Sequence, residues 1–219
     1  MTMPRTAQQD VLLRWLTPLL LVLLMSPVRA ADEAAPDVNY VQLAARLIAD
    51  GNYNRAERAL SNVKPGAKGV DTPRYYTLLG LVDLRRDRHG GAIESLKKAL
   101  QAHDQRMQKD PANDKEEREE RRASRQRVHL YLAQAYMGQK NFQQALEALD
   151  ASGEVGASIA MVHALRAQAH WELEAYDAAF TALNRGAERF PDDQRFMRRK
   201  VFYLINLGFY RQAADLGGE

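Results

Sequence analysis

The residues of this chain best equipped for chemistry are its five histidines, and they are scattered. Only His163 and His170 stand seven apart, which puts both imidazoles on one face of a helix. A metal site is one reading of such a pair; a satisfied packing position is the other, and the more ordinary one. Gly90-Gly91 would let a backbone approach a phosphate, but no Gly-Lys-Ser/Thr follows it. The chain has no cysteine nucleophile, and no serine has a credible histidine and acid beside it. Carboxylates are abundant, yet they fall on stretches that read as solvent faces. The sequence therefore predicts no catalytic, cofactor-binding or metal-ligating residue, and the chain does not read as an enzyme.

Composition narrows the remaining classes. The 219 residues allow one or two domains, and 46% hydrophobic content suffices for a packed core. Lysines and arginines number 31 against 28 acids, a net charge of +3. So even a balance argues against nucleic acid as the main partner, which calls for a concentrated basic surface.

The first thirty residues differ from the rest. Arg5 and Arg14 form a short positive head, Trp15 to Met25 carries no charge, and Pro27 ends the run. Val28-Arg29-Ala30 places small residues where a signal peptidase reads them. This three-part layout predicts a secretory signal over residues 1–30, cleaved after Ala30, with a short linker over 31–36. An uncleaved anchor over Val11 to Met25 remains open, although the uncharged run is about half of the roughly 20 residues a spanning helix needs. A membrane association is expected only in that uncleaved form. Cleavage removes Arg5, Arg14, Arg29 and Asp10, leaving +1. A lipid-anchored envelope protein would need a cysteine after the signal, and there is none. No Asn-x-Ser/Thr sequon occurs either. Together these absences point to a bacterial periplasm, with an inner-membrane-anchored form facing the periplasm as the alternative.

What could position side chains usefully is a repeat. Ala56, Ala92, Ala145, Ala179 and Ala213 are 36, 53, 34 and 34 residues apart. Three residues before each stand Tyr53, His89, Phe142, Tyr176 and Tyr210, and four after stand Leu60, Leu96, Leu149, Leu183 and, breaking the series, Gly217. Twelve before stand Ala44, Gly80, Ala133, Ala167 and Val201. Each unit reads as two helices joined by a short turn. A small residue sits where the helices cross, an aromatic ends the turn, and alanine and leucine share the inner face of the second helix. One such pair cannot bury its apolar face alone, whereas stacked copies make a continuous core.

The pattern resembles the tetratricopeptide repeat, whose period is 34. The resemblance rests on Tyr76, Leu79, Gly80, Ala92, Leu96 and Ala99, then on Leu132, Ala133, Tyr136, Phe142, Ala145 and Leu149. Ala167, Tyr176, Ala179, Leu183 and Pro191 make a third match, and Tyr40, Leu43, Ala44, Leu47, Gly51, Tyr53, Ala56 and Leu60 a first unit. The fifth unit departs at Lys200 and Val201 but keeps Gly208, Tyr210 and Ala213. The resemblance covers residues 37–219. It implies an all-α, right-handed superhelical solenoid of about five helix-turn-helix repeats that binds proteins. In that frame His163 and His170 occupy packing positions between helices.

The 53-residue gap holds a charged insertion around residues 104–127. Asp110-Pro111-Ala112-Asn113 looks like a displaced inter-repeat turn, and Asn113 with Glu116 suits a helix start. Glu117 and Arg121 are spaced to pair, while Arg118 and Arg122 repel. The expectation is a helical hairpin projecting from the solenoid, either a docking arm or an inert solvated spacer.

The resemblance also implies a concave groove lined by first helices. It would comprise Arg74, Thr77, Leu81, Leu84 and Arg85; Arg127, Leu130, Gln134 and Met137; Met161, Ala164, Gln168 and Trp171; and Arg195, Arg198, Phe202 and Ile205. An apolar floor edged by arginines suits an amphipathic helix or extended peptide carrying acids. Trp171 could anchor a partner or fill space against the next unit. The lysine and asparagine clamp by which some family members grip a C-terminal carboxylate is replaced here by residues such as Val41, Ala45, Thr77 and Leu81. The expected role is an envelope scaffold serving assembly components. The alternatives are a leading segment of a longer exporter or assembly protein, and a groove for a small ligand. Counted from Gln194, the fifth unit ends eight residues short of 34. The missing terminal cap suggests either a longer array or a partner covering the end.

Overall fold

Alanine and leucine at helical spacing, with glycine confined to turns and close crossings, dictate helix almost everywhere. A computed structural model describes residues 38–218 apart from 111 and 113. The segments expected as signal and linker, and Pro111 and Asn113 of the displaced turn, lie outside the described residues. Among the described residues there are eleven helices and no strand. They are α1 (Tyr40–Ala49), α2 (Tyr53–Ser61), α3 (Thr72–Arg85), α4 (His89–Lys109), α5 (Lys115–Gly138), α6 (Phe142–Ala151), α7 (Gly153–Ala157), α8 (Ala160–Glu172), α9 (Tyr176–Arg189), α10 (Arg195–Asn206) and α11 (Tyr210–Gly217). None is long and apolar enough to cross a membrane.

From Asn39 onward the helices form one unit, packed pairwise as α1–α2, α3–α4, α5–α6, α8–α9 and α10–α11. Each pair also packs on the next. This is an all-helical repeat solenoid. The marker alanines are its innermost positions: Ala56, Ala92, Ala145 and Ala179 are fully buried, and Ala213 nearly so. Leu60, Leu96, Leu149 and Leu183 are buried beside them, and Ala44, Ala133 and Ala167 complete the set. Gly80 belongs to that set by necessity, since a Cβ there would lie 2.6 Å from Leu96 Cγ. The aromatic positions behave less uniformly. Tyr53, His89 and Phe142 are half-buried and Tyr176 lies against Trp171 of the preceding helix, but Tyr210 is 69% exposed and does not plug the gap between its helices.

All five turns inside the units share one geometry. A left-handed residue closes the first helix: Gly51, Asp87, Lys140, Glu174 and Gly208, with φ between 55° and 82°. The next amide donates to the carbonyl five residues back, as in Asn52 to Leu47 (2.7 Å) and Ala175 to His170 (2.9 Å). The left-handed residue donates three back, as in Lys140 to Met137 (3.0 Å). This is the Schellman helix ending, fixed by main-chain bonds. The residue that starts each second helix makes no side-chain cap bond.

The inserted segment is taken up by α4 and α5, of 21 and 24 residues, which pack on each other. At the start of α5, Asp114 caps the helix, its side chain accepting from the Glu117 amide at 2.8 Å. Arg121 joins the two arms, paired with Glu117 on its own helix and with Asp110 at the end of α4 (3.0 Å to the carboxylate). Arg125 reaches Asp104 at 3.1 Å.

Candidate partner-binding grooves

The repeat sets first helices side by side, so their exposed residues meet across the gap between units. Between α8 and α10 this produces a cavity of about 780 Å³. It brings together Met161, Ala164, Gln168, Trp171, Arg195, Arg198 and Phe202 of the sequence-predicted set. Its apolar wall is aromatic. Trp171 stacks on Tyr203 with ring centroids 3.9 Å apart and planes 7° from parallel, and its other neighbour is Tyr176 at 4.8 Å. Trp171 is thus both a packing residue and part of the cavity wall. Phe202, 58% exposed, stands free at the rim.

Three guanidiniums line the same cavity, and their states differ. Arg195 is held by Asp193 (2.8 Å from Nε), which keeps the Asp193 carboxyl below the usual carboxylate range. Arg198 donates to the Gln194 side chain at 3.1 Å, and Arg199 to Gln168 at 3.4 Å, so neither has a carboxylate partner among the described residues. Beneath them Tyr203 Oη is buried with no hydrogen-bond partner of good geometry. Burial pushes its phenol pKa up, and the neighbouring Arg199 charge pulls it partly back.

Arg199 and Tyr203 escaped the sequence reading. Arg199 stands four after Arg195 and Tyr203 four after Arg199, so the i, i+4 rule places all three on adjoining parts of one face. The signal was present but obscured by Val201, which breaks the repeat frame.

Arg74 lies elsewhere, in a second cavity of about 400 Å³ walled by α3, α4 and α5. There it meets Thr77, Arg106 and Arg127 together with Glu117 and Glu120, a mixed-charge surface. The remaining expected residues are not brought to either cavity. Leu84 and Met137 pack against the central core, Leu81 is half-buried, and Leu130 is buried. Arg85 is exposed on the last turn of α3. Of the expected groove residues, Met161, Ala164, Trp171 and Phe202 are the apolar ones brought together in a cavity, between α8 and α10.

Neither histidine of the pair meets a metal-like set: among the described residues no group of three or more histidines and acids is placed to hold an ion. His163 lies edge-on to Phe196 at 6.5 Å and near Phe190 at 5.9 Å.

Stacked helix pairs, a closed repeat turn and a groove between first helices define a helical-repeat fold like that of tetratricopeptide proteins. Solved structures agree on the fold. The chain is similar to MamA residues 41 to the end from Desulfovibrio magneticus RS-1, with a TM-score of 0.64 at 15% identity, over 82% of this chain and 89% of that one. A MamA RS-1 ArsTM double mutant gives 0.63 at 14% identity, covering 83% and 92%. A further MamA mutant gives 0.59 at 17%, covering 82% and 87%. No protein-family model matches the sequence. No curated protein matches it either.

Proposed function

We propose that this chain is a protein-interaction scaffold of the bacterial periplasm, which holds a partner's amphipathic helix or extended segment between α8 and α10. The observation that carries the reading is the cavity there. It joins the exposed Phe202 and the half-buried Trp171 to two guanidiniums, Arg198 and Arg199, that lack carboxylates of their own. An apolar side chain of the partner would lie on the rings while its acids replace the weak amide contacts of the arginines. Charge-assisted pairs are stronger than these neutral ones, and buried aromatic and arginine contacts dominate protein interfaces. The signal-like first thirty residues support export, and assembly components of the envelope are the partner class this implies.

Crosslinking in envelope fractions tests this. The parent should capture a defined partner, and Phe202→Ser and Arg198→Glu should each reduce the yield at least about tenfold, a loss typical of an interface hot spot. Phe202 and Arg198 are exposed, so both variants should keep the fold. A mature protein that is monomeric, soluble and partnerless in those fractions would refute the reading. So would capture that neither substitution changes.

A further inference from the structure

The arm formed by α4 and α5 carries a further cleft, separate from the groove between α8 and α10. It has a volume of about 730 Å³, and its walls are Asp104 and Met107 on α4 against Arg118, Arg121, Arg122 and Arg125 on α5. The four arginines follow one another at intervals of three, one and three, so they form a single stripe of α5. Two are neutralised locally, Arg121 by Asp110 and Glu117 and Arg125 by Asp104. Arg118 and Arg122 have no acid within ion-pair distance among the described residues, and they stand four apart, where like charges repel. Met107, in the wall of the cleft, is 56% exposed.

We propose that this cleft receives a helix of another protein that carries glutamates or aspartates four residues apart and an apolar residue between them. The period is what selects a helix. Arg118 and Arg122 are separated by about 6 Å along the axis of α5, and acids four apart on an incoming helix have the same rise. Laid along the cleft, such a helix would complete a three-helix bundle, with its apolar residue on Met107. Charge selects against a polyanion. Asp104, Asp110 and Glu117 sit among the arginines, so the cleft offers two free positive charges at defined positions instead of the broad basic surface that nucleic acid or an anionic membrane requires.

The probe is a capped, fluorescein-labelled, alanine-based helical peptide of about four turns with glutamates four apart and an intervening leucine, followed by fluorescence anisotropy. The parent should bind it. Arg118→Gln with Arg122→Gln should weaken binding at least tenfold, Met107→Ser should weaken it several-fold, and the same peptide with glutamine for glutamate should fail. The charge-matched control, Arg185→Gln with Arg189→Gln on the exposed face of α9, should bind within twofold of the parent, as should Phe202→Ser. Absence of binding, or equal loss in the control pair, overturns the proposal. Loss in Phe202→Ser with none in the arm variants also overturns it and assigns the peptide to the α8–α10 groove. Sedimentation of the parent alone closes the remaining case: oligomers that dissociate in the double arm variant would assign the cleft to a second copy and overturn it too.

Discussion

At the scale of single residues the repeat imposes two demands, space at the helix crossing and a left-handed turn. Gly80 meets the first. Gly80→Ala gains about 1 kcal/mol of helix propensity but drives a methyl into Leu96, and overpacking a filled core costs about 1–3 kcal/mol. Denaturant titration should show a net loss of up to about 2 kcal/mol. The second demand is met by glycine at only two of five turns. Lys140 and Glu174 hold φ near 60°, a conformation that costs an ordinary residue about 1–2 kcal/mol. Lys140→Gly and Glu174→Gly should each raise the denaturation midpoint by an amount worth about 0.5–1 kcal/mol, glycine's own entropy offsetting part of the relief. A fall in the midpoint would show that the turn is not strained. The alanine and leucine positions were legible because their spacing repeats. The turn was not, since Asp87, Lys140 and Glu174 share no chemistry with glycine and only the main-chain bonds reveal the equivalence.

At the scale of elements the arm is the informative case. Its helical character followed from charge order and cap residues, but its partition between α4 and α5 and the position of Asp114 depended on which backbone amides found partners. Arg121 ties the arms, with its side chain 12% exposed. Hydrogen exchange across residues 116–127 should therefore show protected amides, and Arg121→Ala should lower that protection; unprotected amides in the parent would contradict the hairpin. Nearer the body His103 is buried, its Nε2 without a partner among the described residues. Burial depresses its pKa, Arg106 and Arg125 adding to the effect while Asp71 and Asp104 oppose it. His129 and His170 are depressed too, first by burial. An imidazole whose folded pKa lies below its unfolded value of about 6.5 takes up protons on unfolding. Its contribution is complete above pH 6.5 and is lost as pH falls from there through the lower folded pKa. Stability should accordingly fall as the pH drops below about 6.5, by at most about 1.4 kcal/mol per pH unit per histidine. Thermal melts of His103→Gln beside the parent should show a shallower decline.

At the scale of the whole molecule the core is three clusters. The central one spans α4 to α6 and part of α8, another joins α8, α9 and α10, and the smallest joins α1 to α3. A solenoid's stability is a sum of units and their interfaces, so local opening begins where neighbours are fewest. The fifth unit is the weakest: α11 has eight residues with Ala213 alone buried, Phe209 is 51% exposed and Tyr210 69%. Native-state exchange should order the helices, with α4 to α6 slowest and α10 to α11 fastest. Equal rates throughout would mean the array unfolds as one cooperative body. The irregular fifth unit was visible in the sequence at Lys200, Val201 and Gly217. The cavity between α8 and α10 was visible only in part, because Trp171 had two uses and its stacking partner lay outside the repeat frame.

The uniform turn has a practical consequence. Asn52, Asn141, Ala175 and Phe209 follow the left-handed residue in four successive or near-successive units, all exposed, and the protein contains no cysteine. Their main chain alone closes the turn, so a cysteine at any of them should leave the backbone undisturbed. Pairs of spin labels or fluorophores at these equivalent points would give a ruler along the array, one able to register how far the solenoid flexes when a partner is bound.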